Sequence, residues 1–179
     1  LVALGLYTMG GSAVFTFVVV LGAANAGLSV STVALLFSAN ALASIPATKW
    51  PWRRGWPAPY MLGTTACALV VTTTSHPVPF ALAVAAWGFF FWMAVPGVFA
   101  ALADRSANPA DRAGDAQAVM ASGRVLGPFL GGFALDAAGG GGLGLVGGAT
   151  MATAAVTVFA VRSMVRPSMV AHRGRPEEA

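Results

Sequence analysis

The sequence predicts an all-α membrane protein of six transmembrane helices, and three observations carry that expectation. Charged residues make up 9% of the 179 residues and hydrophobic ones 57%, with a mean hydropathy of +0.75. A soluble domain holds roughly a quarter of its residues charged, so this chain cannot cover a water-facing surface. Residues 1–48 and 55–103 carry no Asp, Glu, Lys or Arg, and 116–161 carry only Arg124 and Asp136. Each of these three apolar blocks is split by turn-forming residues: "NAGLS" (Asn25–Ser29), "SHPVP" (Ser75–Pro79) and "AAGGGG" (Ala137–Gly142). A helix needs about 20 apolar residues to cross a hydrocarbon core. The expected spans are therefore 1–22, 29–47, 58–75, 79–102, 110–136 and 142–162. Outer-membrane strands would show alternation over about ten residues, and the chain has none.

In the first span, Thr8, Ser12 and Thr16 recur every four residues, with Tyr7 beside them. Such hydroxyls either bond the preceding turn's carbonyl or face a wet cavity. The second span pairs Asn40 with Ser44 in the same way, and an amide is less readily satisfied by its own helix. Cys67 in the third span is the only cysteine, which excludes an internal disulfide and a thiolate metal cluster. The fourth span reads "WGFFFWMAVPG". Its aromatics lie near mid-span, away from the interfacial belts. Trp87 and Phe91, one turn apart, face either lipid or a cavity for an apolar or aromatic solute. Pro96 and Gly97 are expected to bend the helix's last part.

The connection before the fifth span, "SANPADRAGDAQ", contains a capping Asn108, a first-turn Pro109, and Asp111 and Asp115 suited to the positive helix end. It is either a solvated helix start or a cytoplasmic gate in which these acids pair with Arg53 and Arg54. Within the fifth span, Gly123, Gly127 and Gly131 repeat every four residues, the spacing of close helix contacts in lipid. Gly140, Gly144 and Gly148 repeat the device in the sixth. Gln117 and Arg124, seven residues apart, share a helix face with Pro128 and Gly131. Arg124 either snorkels towards the interface or faces a cavity. Residues 163–179 are expected to form a polar, disordered cytoplasmic tail.

Orientation follows from the basic residues. Lys49, Arg53 and Arg54 lie between spans two and three, Arg105 and Arg112 between four and five, and Arg162, Arg166, Arg173 and Arg175 after six. The other connections have none. By the positive-inside rule, both ends of the chain face the cytoplasm. The expected location is an inner (plasma) membrane of the bacterial type. The formal charge of +4 is spent on orientation, so no nucleic-acid partner is expected.

These residues resemble one half of a major facilitator superfamily transporter. The sharpest likeness is Gly123-x-x-x-Gly127-Pro128-x-x-Gly131-Gly132, similar to the G-x-x-x-G-P-x-x-G-G motif of the drug–proton antiporter branch. The loop "PATKWPWRRGW" keeps the basic end of the first half's G-x-L-x-D-R-x-G-R-R motif but lacks its Asp and leading Gly. That departure, together with the polar tail, favours the second half. The resemblance implies a 3+3 inverted repeat, alternating access, and a cavity lined by helices one, two, four and five. It further implies a small-molecule solute, a missing N-terminal six-helix half as partner, and no cofactor. Tyr7, Thr8, Ser12, Asn40, Trp87, Phe91, Gln117 and Arg124 are the candidate solute contacts. Pro96, Gly97, Gly123, Gly127, Pro128, Gly131 and Gly132 serve packing and rocking.

Two other readings stand beside it. A non-transporting membrane scaffold needs no site at all. A rhomboid-type protease also has six spans, and Ser12 lies in "GGSA", but His76 and His172 both lie outside the spans. No H-E-x-x-H and no pair of intramembrane aspartates occurs, so no metal site and no catalytic residue are expected.

Overall fold

The computed structural model describes residues 1–49 and 56–172, the last eleven by their backbone alone. Among these the chain is helical, as α1 (Val2–Phe15), α2 (Val18–Ala24), α3 (Val30–Lys49), α4 (Ala58–Thr73), α5 (Pro77–Ala103) and α6 (Pro109–His172). Four stretches are long and apolar enough to cross a membrane: Val2–Ala24, Val30–Lys49, Pro77–Ala103 and Pro109–Val161. The apolar helix α4, at 16 residues, is shorter.

Helix boundaries fall where the chemistry of the turns puts them. The first stretch is not one smooth helix: at Phe17 (φ −98°, ψ 8°) the backbone tightens, its N–H reaching the Val14 carbonyl three residues back at 3.0 Å. Gly27, at φ +64°, then turns the chain away while the Leu28 N–H closes on the Gly22 carbonyl at 2.9 Å. The Ser29 hydroxyl accepts the Thr32 N–H at 3.1 Å and so starts α3, supplying one of the orphan donors of a helix end with its partner. His76 does the same for α5, with Nδ1 accepting the Val78 N–H at 3.4 Å ahead of Pro77 in the first turn.

Helix α6 is two helices joined by a break at Ala138 (φ −145°, ψ 18°) and Gly139 (φ 62°, ψ −158°). The second of these lies in a region open essentially to glycine alone. The chain doubles back there. A Cβ placed on Gly142 would stand 2.8 Å from the Ala134 carbonyl oxygen. In a continuous helix, residues eight apart are about 12 Å apart along the axis. The expected break at Ala137–Gly142 is thus a tight hairpin, and the fifth and sixth apolar segments are its two arms.

The arms clasp α1 from two directions. Along the first arm, Val119 meets Gly5, Gly123 meets Met9, and Gly131 meets Ala13, so this arm runs parallel to α1. Along the second, Gly140 meets Leu21, Gly147 meets Val14 and Met151 meets Gly10, so it runs antiparallel. The stripe Gly123–Gly127–Gly131 lies on the α1 backbone: added Cβ atoms would stand 2.7 Å from the Gly5 oxygen, 2.9 Å from the Ala13 nitrogen and 2.5 Å from the Ala13 oxygen. Gly144 and Gly148 meet Thr72 and Leu69 of α4. Glycine here is what lets backbones touch without a hydrophobic drive from the lipid.

The core lies around α1, with Leu4, Tyr7, Val14, Leu21, Met61 and Phe80 fully buried. The outer faces of α3 and of the first arm of α6 are bare: Leu35 is 70% exposed and Val125 74%. The boundary at 162–163, read from the onset of polar residues, falls inside α6, whose backbone stays helical to His172. Polarity marks where a helix can leave lipid, which need not be where it ends. Residues 173–179 of the expected tail lie outside the described residues.

A candidate solute groove

Helices α1, α3, α5 and the first arm of α6 enclose a groove of about 320 Å³. Helix α1 contributes Thr8, Gly11, Ser12, Phe15 and Thr16, and α3 contributes Asn40. Helix α5 contributes Trp87, Gly88, Phe91 and Trp92, and α6 contributes Arg124. These are the helices that the resemblance assigned to a cavity. Six of the eight expected solute contacts line it: Thr8, Ser12, Asn40, Trp87, Phe91 and Arg124.

The hydroxyl stripe divides into two kinds. Thr8 Oγ1 donates back to the Leu4 carbonyl at 3.0 Å, and is 2% exposed. The hydroxyls of Ser12 and Thr16 have no hydrogen-bond partner among the described residues, and both residues border the groove. The stripe is therefore local at its buried end and free at its open end.

Asn40 bridges helices. Its Nδ2 donates to the Val84 carbonyl of α5 at 2.7 Å, and one turn on Gly88 lets the Asn40 carbonyl approach the α5 backbone. A side chain on residue 88 would collide with it. Ser44, its expected companion, instead bonds the Ala41 carbonyl at 2.6 Å.

The aromatic residues form the apolar wall. Phe15 sits 5.3 Å from Trp87 and 5.2 Å from Phe37, ring centre to centre. Phe91 stacks on Tyr7 at 5.7 Å and meets Trp92 edge-on at 6.0 Å. Tyr7 does not line the groove. It is 1% exposed, and its hydroxyl donates to Thr64 Oγ1 of α4 at 2.7 Å. Its place is behind Phe91, holding that ring.

Arg124 is exposed towards the groove side of the first arm and has no anionic partner among the described residues. Among the described residues no Asp or Glu lines the groove. Gln117 is separated from it. It borders a second cavity of about 660 Å³ at the junction of α5 and α6, with Pro96, Asp104 and Arg112. The shared helix face expected for Gln117 and Arg124 thus opens on two different spaces.

Of the expected gate, Arg53 and Arg54 lie outside the described residues. Asp115 pairs with Arg112 of its own helix at 3.1 Å, both side chains about half exposed, and Asp111 is exposed in the first turn of α6. Pro96 lies inside the unbroken α5, next to the buried Gly97. Gly132 looks towards Phe17, which an added Cβ would reach at an ordinary 3.6 Å, and Pro128 is half-buried on the arm that carries Arg124.

Gly11, Phe15, Thr16, Gly88 and Trp92 were not among the expected contacts. Gly88 makes room for α3 to cross α5, and only that crossing reveals the role. Scans against protein-family models, curated proteins and solved structures return no match to the chain.

Proposed function

We propose that this chain is a six-helix half of an alternating-access carrier of the major facilitator type, moving a small solute through the membrane, with efflux by a secondary gradient as the mode. The observation that carries the reading is the groove: a polar strip and an unpaired arginine inside an otherwise apolar helix bundle, between the four helices that such a half turns towards its cavity. A charge deep in a span is unfavourable by roughly 2.5–3.5 kcal/mol on insertion scales, and a water-filled groove removes that penalty. In this reading α1 with α2, then α3, α4, α5 and the two arms of α6 are the six crossings, related as two inverted triplets. The bare faces of α3 and the first arm are covered by the other half. The cytoplasm lies at the α3–α4 and α5–α6 connections, and the hairpin at Gly139 lies outside. The break at Gly139 and the prolines inside α3, α5 and α6 are where the helices adjust as the halves rock.

The test uses the full chain with its partner half, Cys67 replaced by Ala, and single cysteines added. Ala107→Cys should react with an impermeant thiol reagent only from the cytoplasmic side, and Gly141→Cys only from outside. Ser12→Cys, in the groove, should react from each side in turn. A Ser12→Cys thiol closed to water from both sides removes the carrier reading, and one-sided labelling of both outer positions removes the topology.

A further inference from the structure

We infer that the groove takes a small organic anion, a carboxylate or sulfonate on an apolar or aromatic body, with Arg124 holding the charged end. This rests on the carrier reading and adds the solute's chemical class. Three observations converge. Among the described residues the groove's lining carries one formal charge, the guanidinium of Arg124, and no acid to neutralise it. The same lining carries two hydroxyls, of Ser12 and Thr16, with no side-chain partner among the described residues, each able to donate to an oxyanion. The lining also includes Trp87, Phe91 and Trp92, whose rings offer a broad apolar surface. A polar end and an apolar wall in one groove select an amphipathic solute. The volume, about 320 Å³, is at the lower end of small-molecule sites, roughly 300–1,000 Å³, so the body is one or two rings in size.

Position supports the assignment. Gly123 and Gly127, which flank Arg124 in sequence, are pressed against Thr8 and Ser12 of α1. The guanidinium is therefore rooted beside the hydroxyl strip. The last charged residue before it on α6 is Asp115, nine positions earlier, or about 13 Å at 1.5 Å per residue. It is not part of the charged helix start. A planar guanidinium can grip an oxyanion through two parallel N–H bonds, which an ammonium cannot.

The experiment measures the groove's charge preference with named probes. Ser12→Cys in the Cys67→Ala background is reacted with two thiosulfonates of similar size, the anionic sulfonatoethyl and the cationic trimethylammonioethyl reagent. The ratio of rates is compared with that at Ala107→Cys. The anion should be favoured in the groove by roughly tenfold, as expected for a nearby unit charge under protein-like screening. Arg124→Gln should abolish the preference, and Arg124→Lys should retain it. 4-Nitrobenzoate should protect the thiol better than 4-nitrobenzyl alcohol or acetate, with protection weakened in both Arg124 variants. A thiol that reacts with both reagents without preference means that the guanidinium has snorkelled away or is neutralised by a carboxylate of the other half. That outcome overturns the anion assignment and leaves the carrier reading standing. Preference for the cation, or protection equal in Arg124→Gln, overturns it too. A thiol that reacts with neither reagent defeats the carrier reading itself.

Discussion

Replacing Gly139 and Gly141 separately by alanine isolates the strain of the α6 hairpin from every other effect. An added Cβ meets nothing within 4 Å at either position, so neighbouring side chains contribute nothing to the comparison. The two differ in backbone alone. Gly139 sits at φ 62°, ψ −158°, while Gly141 lies in the first turn of the second arm and has no positive φ. Forcing an L-residue into the former region is unfavourable by about 1–3 kcal/mol. Alanine in a helical turn is instead favoured over glycine by roughly 0.5–1 kcal/mol. The two variants should therefore separate by about 1.5–4 kcal/mol, with Gly139→Ala the less stable. Titrating the purified chain in mixed micelles with a denaturing detergent, followed by far-UV circular dichroism and tryptophan emission, reads the difference as opposite shifts in midpoint. Equal shifts for the two variants would refute the argument, because the reversal would then not depend on the backbone of Gly139.

Two further substitutions test the packing. Gly127→Leu, at the seam where an added Cβ would stand 2.9 Å from the Ala13 nitrogen, should lower stability by more than the roughly 1–3 kcal/mol of ordinary overpacking. Val125→Leu, at a 74% exposed position on the same arm, should change it by less than about 0.5 kcal/mol; similar folded yields for the two in the same micelles would mean the glycine stripe is not a seam. The Tyr7–Thr64 pair should respond unequally. Tyr7→Phe leaves Thr64 Oγ1 still donating to the Tyr60 carbonyl at 3.1 Å, and should destabilise by about 0.5–1.5 kcal/mol. Thr64→Val strands a buried phenol and should destabilise by about 1–3 kcal/mol; the reverse order in a detergent titration contradicts the bond as drawn.

What could be read from the linear chain was set by contrast. Arg124 stands out because everything around it is apolar, and the breaks at Gly27, His76 and Gly139 stand out because turn chemistry interrupts long uncharged runs. The aromatic run of α5 was visible for the same reason. Contacts that join a side chain to a distant backbone leave no such trace. The Asn40 bond to the Val84 carbonyl uses an acceptor that every residue owns. Tyr7 reads as a groove residue beside Thr8, yet its hydroxyl finds Thr64, 57 positions away, because helical rotation carries neighbouring residues about 100° apart. Gly88 is one glycine among 22, and only the crossing of two helices sets it apart. Gln117 and Arg124 share a helix face by count, but the space on that face changes along the arm.

The clasp of α6 around α1 also fixes an order of events during synthesis. Gly5 is matched with Val119 and Gly10 with Gly147, so α1 finds close neighbours in a segment made well after it. Contacts of such separation form late, since the intervening chain must be threaded and closed before they are rewarded. Until α6 is delivered, α1 holds a polar strip in lipid with neither its small-residue seams nor its groove assembled. Cotranslational quality control would therefore meet this protein at its most vulnerable between α1 and the hairpin of α6, and a stop just after Gly139 would leave α1 clasped from one side only.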